Sequence, residues 1–302
     1  MRTLVCLIAA ALLMGCATAP ATFVPSTFVL PTPAPQPPPA TSLPGLDAPI
    51  ADGLRFLKGQ YNPEYGLLQE SPNIGRHRYY LTNDNALAAY VFEKFGEDEM
   101  ASILRSSLDR YGYDSNGFVE VAWGEAIVWP PLHHKDIVVE KKVPGACDLL
   151  NTEETGPLAD CVLQETHTPD LGFFYDWSSF SNLHCMGAVN EYNKGNLAVA
   201  RWLYATELST FDGVGWADEA WRRRDGVYET IGPAWCLYAG ALLGLPVHED
   251  LLVALLAQQN KDTGGFHTHY RRDAFQLTDP NVETTSLALL ALHTLQRGNP
   301  TE

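Results

Sequence analysis

Two kinds of helical pattern alternate along the chain from about residue 46 onward. In the first kind, apolar residues recur at helical spacing with charges between them, which predicts amphipathic surface helices. These segments are 51–59, 97–111, 196–210 and 248–260. In the second kind, apolar residues cover most faces, which predicts buried helices. These segments are 83–95, 182–192, 230–244 and 282–295. The alternation predicts an all-α domain with outer helices around inner ones.

A weak internal repeat accompanies this alternation. Its mark is a glycine followed by a large apolar residue, in a predicted loop between helices. The five pairs begin at Gly66, Gly117, Gly172, Gly215 and Gly265. Their successive spacings of 51, 55, 43 and 50 residues centre on one period, as in repeat architectures. The repeat that begins at Gly117 departs from the pattern, because about 124–171 is predicted to be an irregular insertion.

The last repeat resembles a known group of proteins. The segment NKDTGGF at 260–266, followed by NVETTSLALL at 281–290, resembles a repeat of the α/α-toroid superfamily. That superfamily includes terpene cyclases, protein prenyltransferases, six-hairpin glycosidases and polysaccharide lyases. The resemblance implies an α/α toroid of about four to five helical hairpins, in which inner helices form a barrel and outer helices wrap it. Because one fold hosts many reactions, it implies less about the chemistry.

The first 16 residues have the pattern of an export signal. Arg2 precedes an apolar run from Leu4 to Met14, which is shorter than the roughly 20 residues of a transmembrane helix. The run ends in Gly15-Cys16, which resembles the bacterial lipobox and implies lipidation of Cys16. The alternative is an ordinary signal peptide cleaved elsewhere. We expect an exported protein, anchored to a membrane by lipid alone and facing the periplasm or the cell surface.

Residues 17–45 form a predicted linker between this signal and a domain at 46–302. The linker is rich in proline, alanine, threonine and serine, and its proline is densest at 31–39. Proline fixes φ and lacks an amide proton, so such a segment builds neither helix nor sheet. We therefore expect an extended, semi-stiff spacer that holds the domain away from the membrane.

The net charge and the spacing of the cysteines limit which partners and cofactors are expected. A formal net charge of −16 argues against nucleic acid, whose phosphates would be repelled. Cys147 and Cys161 share one polar segment, where export favours a disulfide between them. Cys185 and Cys236 lie in apolar helical segments, where we expect buried thiols. No CxxC pair, zinc-finger spacing or glycine-rich phosphate loop is present in the sequence, and we expect no cofactor.

Three carboxylates are candidates for catalysis. In a toroid, the N-terminal ends of the inner helices surround a central pit, and Asp84, Glu229 and Glu283 fall at such ends. Carboxylates that converge on a concavity are suited to acid–base chemistry on a sugar. The competing interpretation is a capping role, because a carboxylate in the first helical turn gains about 0.3–1 kcal/mol from the helix dipole.

Aromatic and polar residues near the same ends are candidates for substrate binding, because sugar rings stack on aromatic faces. The expected residues are Tyr79, Tyr80, Asn83, Trp177, His267, Tyr270 and Arg271. His267 and His269 share one side of an extended stretch and could bind a metal, although we assign none. A polysaccharide lyase could instead use a histidine, Tyr270 and an arginine of the segment 267–272 together. The remaining alternative is that this segment is a solvated loop without a function of its own. His184 has no obvious partner in the sequence.

These patterns predict an exported glycan-active protein, a glycoside hydrolase or polysaccharide lyase, whose site lies in the central pit. Its expected partner is an oligosaccharide or polysaccharide. The alternative is a non-catalytic, lipid-anchored binding or scaffold protein. Such a protein would hold its partner in the same pit or on the insertion.

Overall fold

The computed structural model describes residues 45–72, 77–114, 118–129, 137–141, 159–167, 176–273 and 276–298. The expected lipobox with Cys16 and nearly all of the 17–45 linker lie outside the described residues. No helix in the described part of the chain is long and apolar enough to cross a membrane.

The described residues are mostly helical, as expected. Ten α-helices occur in the described ranges, and each of the eight predicted helices is present with ends within four residues of those expected. They are α1 (Asp47–Gly59), α2 (Thr82–Lys94), α3 (Asp98–Tyr111), α4 (Phe118–Ala122), α5 (Ser181–Asn193), α6 (Leu197–Leu208), α7 (Glu219–Arg223), α8 (Ile231–Leu242), α9 (Glu249–Leu256) and α10 (Val282–Arg297). A 3-10 helix, Trp177–Ser179, precedes α5.

The two sequence patterns correspond to two degrees of burial. Most residues of α2, α5, α8 and α10 are buried, because these helices have almost no polar face. The amphipathic helices bury one stripe each. In α3, for example, Ala101, Leu104 and Leu108 are buried at the three- and four-residue spacing of one helix face.

Each of the four buried helices packs against one amphipathic partner. Helix α3 packs on α2, α6 on α5, α9 on α8, and α1 on α10. The buried helices contact one another in the order α2, α10, α8, α5, and the short α4 contacts both α5 and α2. The first and the last described helix are therefore neighbours, and the side chain of Gln296 donates a hydrogen bond to Asp47 across their contact.

Hydrogen bonds link the start of α10 to the start of α2. The amide of Val282 donates to the carbonyl oxygen of Glu70 at 2.9 Å, and the amide of Glu70 donates to the carbonyl oxygen of Tyr79 at 2.7 Å. Tyr79 belongs to the strand that leads directly into α2. The N-terminal ends of α2 and α10 therefore lie side by side.

The starts of α8 and α5 lie on the same side of the molecule. The amide of Thr230 donates to the carbonyl oxygen of Thr268 at 2.9 Å, which joins the start of α8 to the segment before α10. A Cβ atom on Gly232 would lie 2.9 Å from Ser181 Oγ, so the first turns of α8 and α5 are in close contact. All four buried helices thus begin on one side.

Seven short strands accompany the helices in the described ranges. They are β1 (Tyr61–Asn62), β2 (Leu67–Leu68), β3 (His77–Leu81), β4 (Ile137–Lys141), β5 (Ala159–His167), β6 (Tyr228–Glu229) and β7 (His269–Tyr270). Strands β1 and β2 form one antiparallel pair, and β6 and β7 form another. Strand β5 pairs with β3 in parallel and with β4 antiparallel. The expectation of an irregular insertion at 124–171 is therefore wrong for β4 and β5, which join a sheet through long-range pairing.

The described cysteines are oxidised. Cys185 and Cys236 form a disulfide that joins α5 to α8, with their Cα atoms 4.9 Å apart. Both residues are fully buried as expected, but the expectation of free thiols is wrong. Cys161 is also disulfide-bonded. Its expected partner, Cys147, lies outside the described residues, so that pairing stays a prediction.

Candidate functional site

Asp84 lies in the first turn of α2 and is only 8% exposed. Its neighbours Asn83 and Asn85 are also buried. The Asn85 side chain accepts a hydrogen bond from the amide of Leu68 at 2.6 Å and donates one to the carbonyl oxygen of Leu81 at 2.8 Å. These bonds satisfy backbone groups at the point where the chain turns into α2, which fixes the position of the adjacent carboxylate.

A second buried carboxylate is Glu120, and both it and Asp84 act electrostatically on Tyr113. Glu120 occupies the first turn of α4, is 3% exposed, and accepts a hydrogen bond from the hydroxyl of Tyr113 at 3.1 Å. Burial raises the pKa of Tyr113, and the negative charges of Glu120 and then of Asp84 raise it further. Asp84 therefore lies within electrostatic range of the same hydroxyl. We call Asp84, Tyr113 and Glu120 the acidic cluster.

Glu120 and Tyr113 are not among the residues expected from the sequence, but a signal for Glu120 exists. The glutamate is surrounded by Val119, Val121 and Ala122, all of which are buried. A charged residue within such an apolar run must either leave the core or find a partner, because burying an unpaired charge is very costly. The partner is supplied by Tyr113, seven residues earlier.

Glu229 lies in β6, and its pairing partner in β7 is His269. Its Oε1 atom is 3.5 Å from Arg224 Nε and 3.7 Å from His269 Nε2. Arg224 also contacts His269 Nε2, and because a guanidinium only donates, Nε2 accepts. The proton of the neutral ring is then on Nδ1, which lies 2.6 Å from Thr268 Oγ1. We call Glu229, Arg224 and His269 the hairpin cluster.

Glu283 has a different environment from the other two predicted carboxylates. It lies in the first turn of α10 and is exposed. The cap of this helix is Asn281, whose side chain accepts a hydrogen bond from the amide of Thr284 at 2.9 Å and donates one to Glu70 Oε1 at 2.6 Å. The structure therefore brings Asp84 into the acidic cluster and Glu229 into the hairpin cluster, whereas Glu283 is a surface residue.

Two of the predicted stacking residues are core residues instead. Tyr80 and Tyr270 are both fully buried, which leaves no ring face for a sugar. The hydroxyl of Tyr80 accepts a hydrogen bond from Asn62 at 2.7 Å, and that of Tyr270 donates one to the carbonyl oxygen of Val214 at 2.7 Å. Tyr79 and Trp177 are partly exposed, and Arg271 is exposed.

Trp177 belongs to an aromatic group at the start of α5. Its ring meets those of Trp129 and His184 edge-on, with centroids 5.6 and 5.1 Å apart. His184 is buried and has a partner after all, because its Nδ1 lies 2.7 Å from Glu207 Oε2. This contact joins α5 to α6. The partner of His184 could not be predicted from the sequence, because it lies on a different helix.

The ring nitrogens of His267 are engaged within the loop. Its Nδ1 contacts the carbonyl oxygen of Thr278, which only accepts, so Nδ1 carries the proton and Nε2 accepts from Asn260 Nδ2 at 3.1 Å. His269 Nε2 is likewise used by Arg224. In the part of the chain that the structure describes, no three His, Cys, Asp or Glu side chains are grouped so as to hold a metal ion.

Comparison with known proteins gives no further assignment. No family model, curated protein or solved structure matches this chain. The interpretation of both clusters therefore depends on their own chemistry.

Proposed function

We propose that this chain is an exported, lipid-anchored protein that cleaves glycans, as a glycoside hydrolase or a polysaccharide lyase, and that its helices form an α/α toroid. The order of helix contacts supports the toroid. Four buried helices, each with one amphipathic partner, contact one another in a series that α4 closes between α5 and α2. Their N-terminal ends share one side, where loops of a toroid would surround a pit.

The observation that carries the functional proposal is the acidic cluster on that side. Cleavage of a glycosidic bond needs one group that gives a proton to the leaving oxygen and another that activates water or removes a proton from carbon. Glu120 accepts a hydrogen bond from the Tyr113 phenol and Asp84 lies within electrostatic range of it, so these three residues could provide both kinds of group. The hydroxyl of Tyr113 is protonated at neutral pH, as that of an ordinary tyrosine is, so it carries a proton that could be given to a leaving oxygen. Its raised pKa makes it a weak acid, so that transfer would depend on negative charge developing on the leaving oxygen.

Hydrolase and lyase chemistry would use this cluster differently. In hydrolysis, one carboxylic acid protonates the glycosidic oxygen while the other carboxylate activates water or attacks the sugar. In elimination, a carboxylate removes the proton next to a uronate group, and Tyr113 protonates the leaving oxygen. Elimination also needs a cation for the uronate, and Arg224 of the hairpin cluster is a candidate.

Burial also favours the alternative of a non-catalytic binding or scaffold protein. Both Asp84 and Glu120 are less than a tenth exposed. A shielded carboxylate at the start of a helix is stabilised by the helix dipole and can serve the fold alone. Under this alternative, amide substitutions at these positions change the stability of the protein without removing any activity.

The test is glycan cleavage by the full chain, purified in detergent. Neutral and acidic polysaccharides are incubated with the wild type, and two products are measured: new reducing ends, and the ultraviolet absorbance of the double bond that a lyase leaves. Asp84→Asn and Glu120→Gln should each reduce the rate by at least about a hundredfold. Glu249→Gln removes an exposed carboxylate from the first turn of the outer helix α9 and should leave the rate unchanged.

The outcomes separate the two functions. Cleavage that requires Asp84 and Glu120 supports the proposal, and the absorbance distinguishes a lyase from a hydrolase. Cleavage that persists in both variants contradicts the assignment of the acidic cluster. A folded wild type that cleaves no glycan of the panel favours the binding or scaffold alternative.

A further inference from the structure

The solvent side of α6 is apolar. Leu197, Val199 and Trp202 are 43%, 45% and 63% exposed. Ala198 and Ala205, at neighbouring positions of the same helix, are also exposed. Soluble proteins rarely expose a group of large apolar side chains unless that surface meets a partner. This side of the helix is therefore a candidate contact surface, and we call Leu197, Val199 and Trp202 the α6 face.

Charge also distinguishes this helix. Helices α1, α3 and α9 each carry carboxylates in their first turns, which the helix dipole favours, whereas α6 has none there. The single carboxylate of α6, Glu207, is buried against His184. Its single cation, Arg201, is exposed and forms no ion pair with a described carboxylate. In a chain whose net charge is −16, the α6 face thus combines apolar surface with one positive charge.

The α6 face begins on the side of the molecule where the linker ends. All four buried helices begin on one side, so α5 and α10 both end on the other. Only three residues separate the end of α5 from the start of α6, which places Leu197 and Val199 on that second side. The start of α1 lies there too, because Gln296, near the end of α10, donates a hydrogen bond to Asp47. The 17–45 linker therefore joins the domain on the side that exposes Leu197 and Val199.

The length of the linker would keep this surface near a membrane. With lipid on Cys16, residues 17–45 extend at most about 90 Å, at the roughly 3.1 Å per residue of a proline-rich chain. Confinement within that distance corresponds to an effective concentration of about a millimolar, so a weak apolar contact is enough to hold the face on the bilayer. Helices α10 and α5, on which α1 and α6 pack, have only α8 between them, so their axes lie about 20 Å apart. The linker spans that separation easily.

We propose that the α6 face docks on the surface of the lipid bilayer to which the chain is anchored, by apolar insertion between zwitterionic phospholipids. A tryptophan side chain favours the boundary between headgroups and acyl chains, and Leu197 and Val199 would enter the acyl region beside it. Arg201 would contact lipid phosphate while its aliphatic part lies along the apolar surface. The proposal rests on the lipid anchor of the proposed function and adds a second membrane contact to it. The side with the acidic cluster would then face away from the bilayer.

The test is tryptophan fluorescence of the full chain, reconstituted in phosphatidylcholine vesicles with and without bromine on the acyl chains. Bromine quenches tryptophan only at short range, and the difference between the wild type and Trp202→Phe isolates the emission of Trp202. Brominated lipid should quench that emission by at least about half. The double variant Leu197→Ser/Val199→Ser keeps the probe and should reduce the quenching at least about threefold. Val253→Ser removes a side chain of α9 that is 66% exposed and should leave the quenching unchanged.

A separate arm distinguishes the α6 face from the lipid anchor. Mass spectrometry of Cys16 reports lipidation whether or not the face docks. If Cys16 carries no lipid, the anchor is wrong, and a histidine tag after Glu302 can hold the chain on nickel-chelating lipid for the same quenching assay. The tag holds the domain from the same side, because α10 ends beside the start of α1. Circular dichroism spectra that match the wild type establish that each variant is folded.

Quenching of Trp202 that requires Leu197 and Val199 and persists in about 0.5 M salt supports the proposal, because apolar insertion is not screened by salt. The proposal is overturned if brominated lipid leaves Trp202 unquenched, if the double variant is quenched like the wild type, or if salt abolishes the quenching. It is also overturned if sedimentation in detergent shows a dimer that Trp202→Ser dissociates, because a second copy of the chain would then cover the α6 face.

Discussion

Replacing Cys185 and Cys236 with alanine is expected to lower the free energy of unfolding by about 4 kcal/mol. The disulfide joins α5 to α8 across a sequence separation of 51 residues. In the chain-entropy model, a crosslink over that length removes about 14 cal/mol/K from the unfolded chain, which equals about 4 kcal/mol at 25 °C. Both sulfur atoms belong to fully buried residues, so the loss of packing adds to the entropic effect.

The assay is urea unfolding of the full chain under non-reducing conditions, followed by far-ultraviolet circular dichroism. The single variants Cys185→Ala and Cys236→Ala serve as matched controls, because each removes the crosslink but only one sulfur atom. Each single variant should lose nearly as much free energy as the double variant. Additive losses from the two single variants would mean that the sulfurs are not bonded. A double variant within about 1 kcal/mol of the wild type would refute the entropic estimate.

Two other predictions concern stability. Gly264 has φ +88°, and a Cβ atom there would overlap the carbonyl oxygen of Asp52, so Gly264→Ala should lower the free energy of unfolding by about 1–3 kcal/mol. Gly59→Ala, at a helical position with open space around it, should raise that free energy by about 0.4–1 kcal/mol; urea unfolding that gives both changes the same sign would contradict this reasoning. Burial, then Arg297, then Lys94 lowers the pKa of His293 to about 4 in the folded chain against 6.5 for an unperturbed histidine, so the unfolded state binds more protons between these values. The free energy of unfolding should therefore rise with pH across that window, by at most about 1.4 kcal/mol per pH unit from this group. His293→Leu should remove that contribution, which urea midpoints measured between about pH 4.5 and 6.5 would show. A variant whose midpoints change with pH as steeply as those of the wild type would contradict the assignment.

The helices could be predicted from the sequence because their burial is periodic. The apolar run at 182–192 corresponds to Ser181–Asn193, and the run at 282–295 to Val282–Arg297. The sheet could not be predicted in this way. Strands β3 and β5 are about 80 residues apart along the chain, and the partner of a strand depends on long-range packing rather than on local pattern.

The Cys185–Cys236 bond could have been predicted from the places of the two cysteines in the buried helices. Cys185 is the fifth residue of α5 and Cys236 is the sixth residue of α8, so the two cysteines occupy nearly the same place in neighbouring buried helices. Residues at equivalent places on adjacent buried helices that begin on the same side come close together. The sequence patterns showed where the helices are buried, but the expectation of free thiols did not compare the places of the two cysteines within them.

The candidate site could be predicted only in part. Asp84 and Glu229 were predicted as candidates because they lie at the starts of buried helices. Glu120 was missed because its helix, Phe118–Ala122, has only five residues and lies next to the predicted insertion. A helix that short shows no periodic pattern in the sequence. Tyr80 and Tyr270 could not be excluded, because the burial of an aromatic ring near a helix start depends on tertiary contacts.

The contact between α1 and α10 also fixes when this set of helices can finish folding. The apolar stripe of α1, which includes Ile50, Phe56 and Leu57, packs on a helix made at the other end of the described chain. During synthesis that stripe stays uncovered until residues 282–297 have emerged. The sides of α2 and α8 that pack against α10 also stay exposed until the same residues have emerged. A chain interrupted before α10 therefore exposes apolar surface on three helices at once, which makes it a substrate for chaperones and proteases rather than a smaller folded domain.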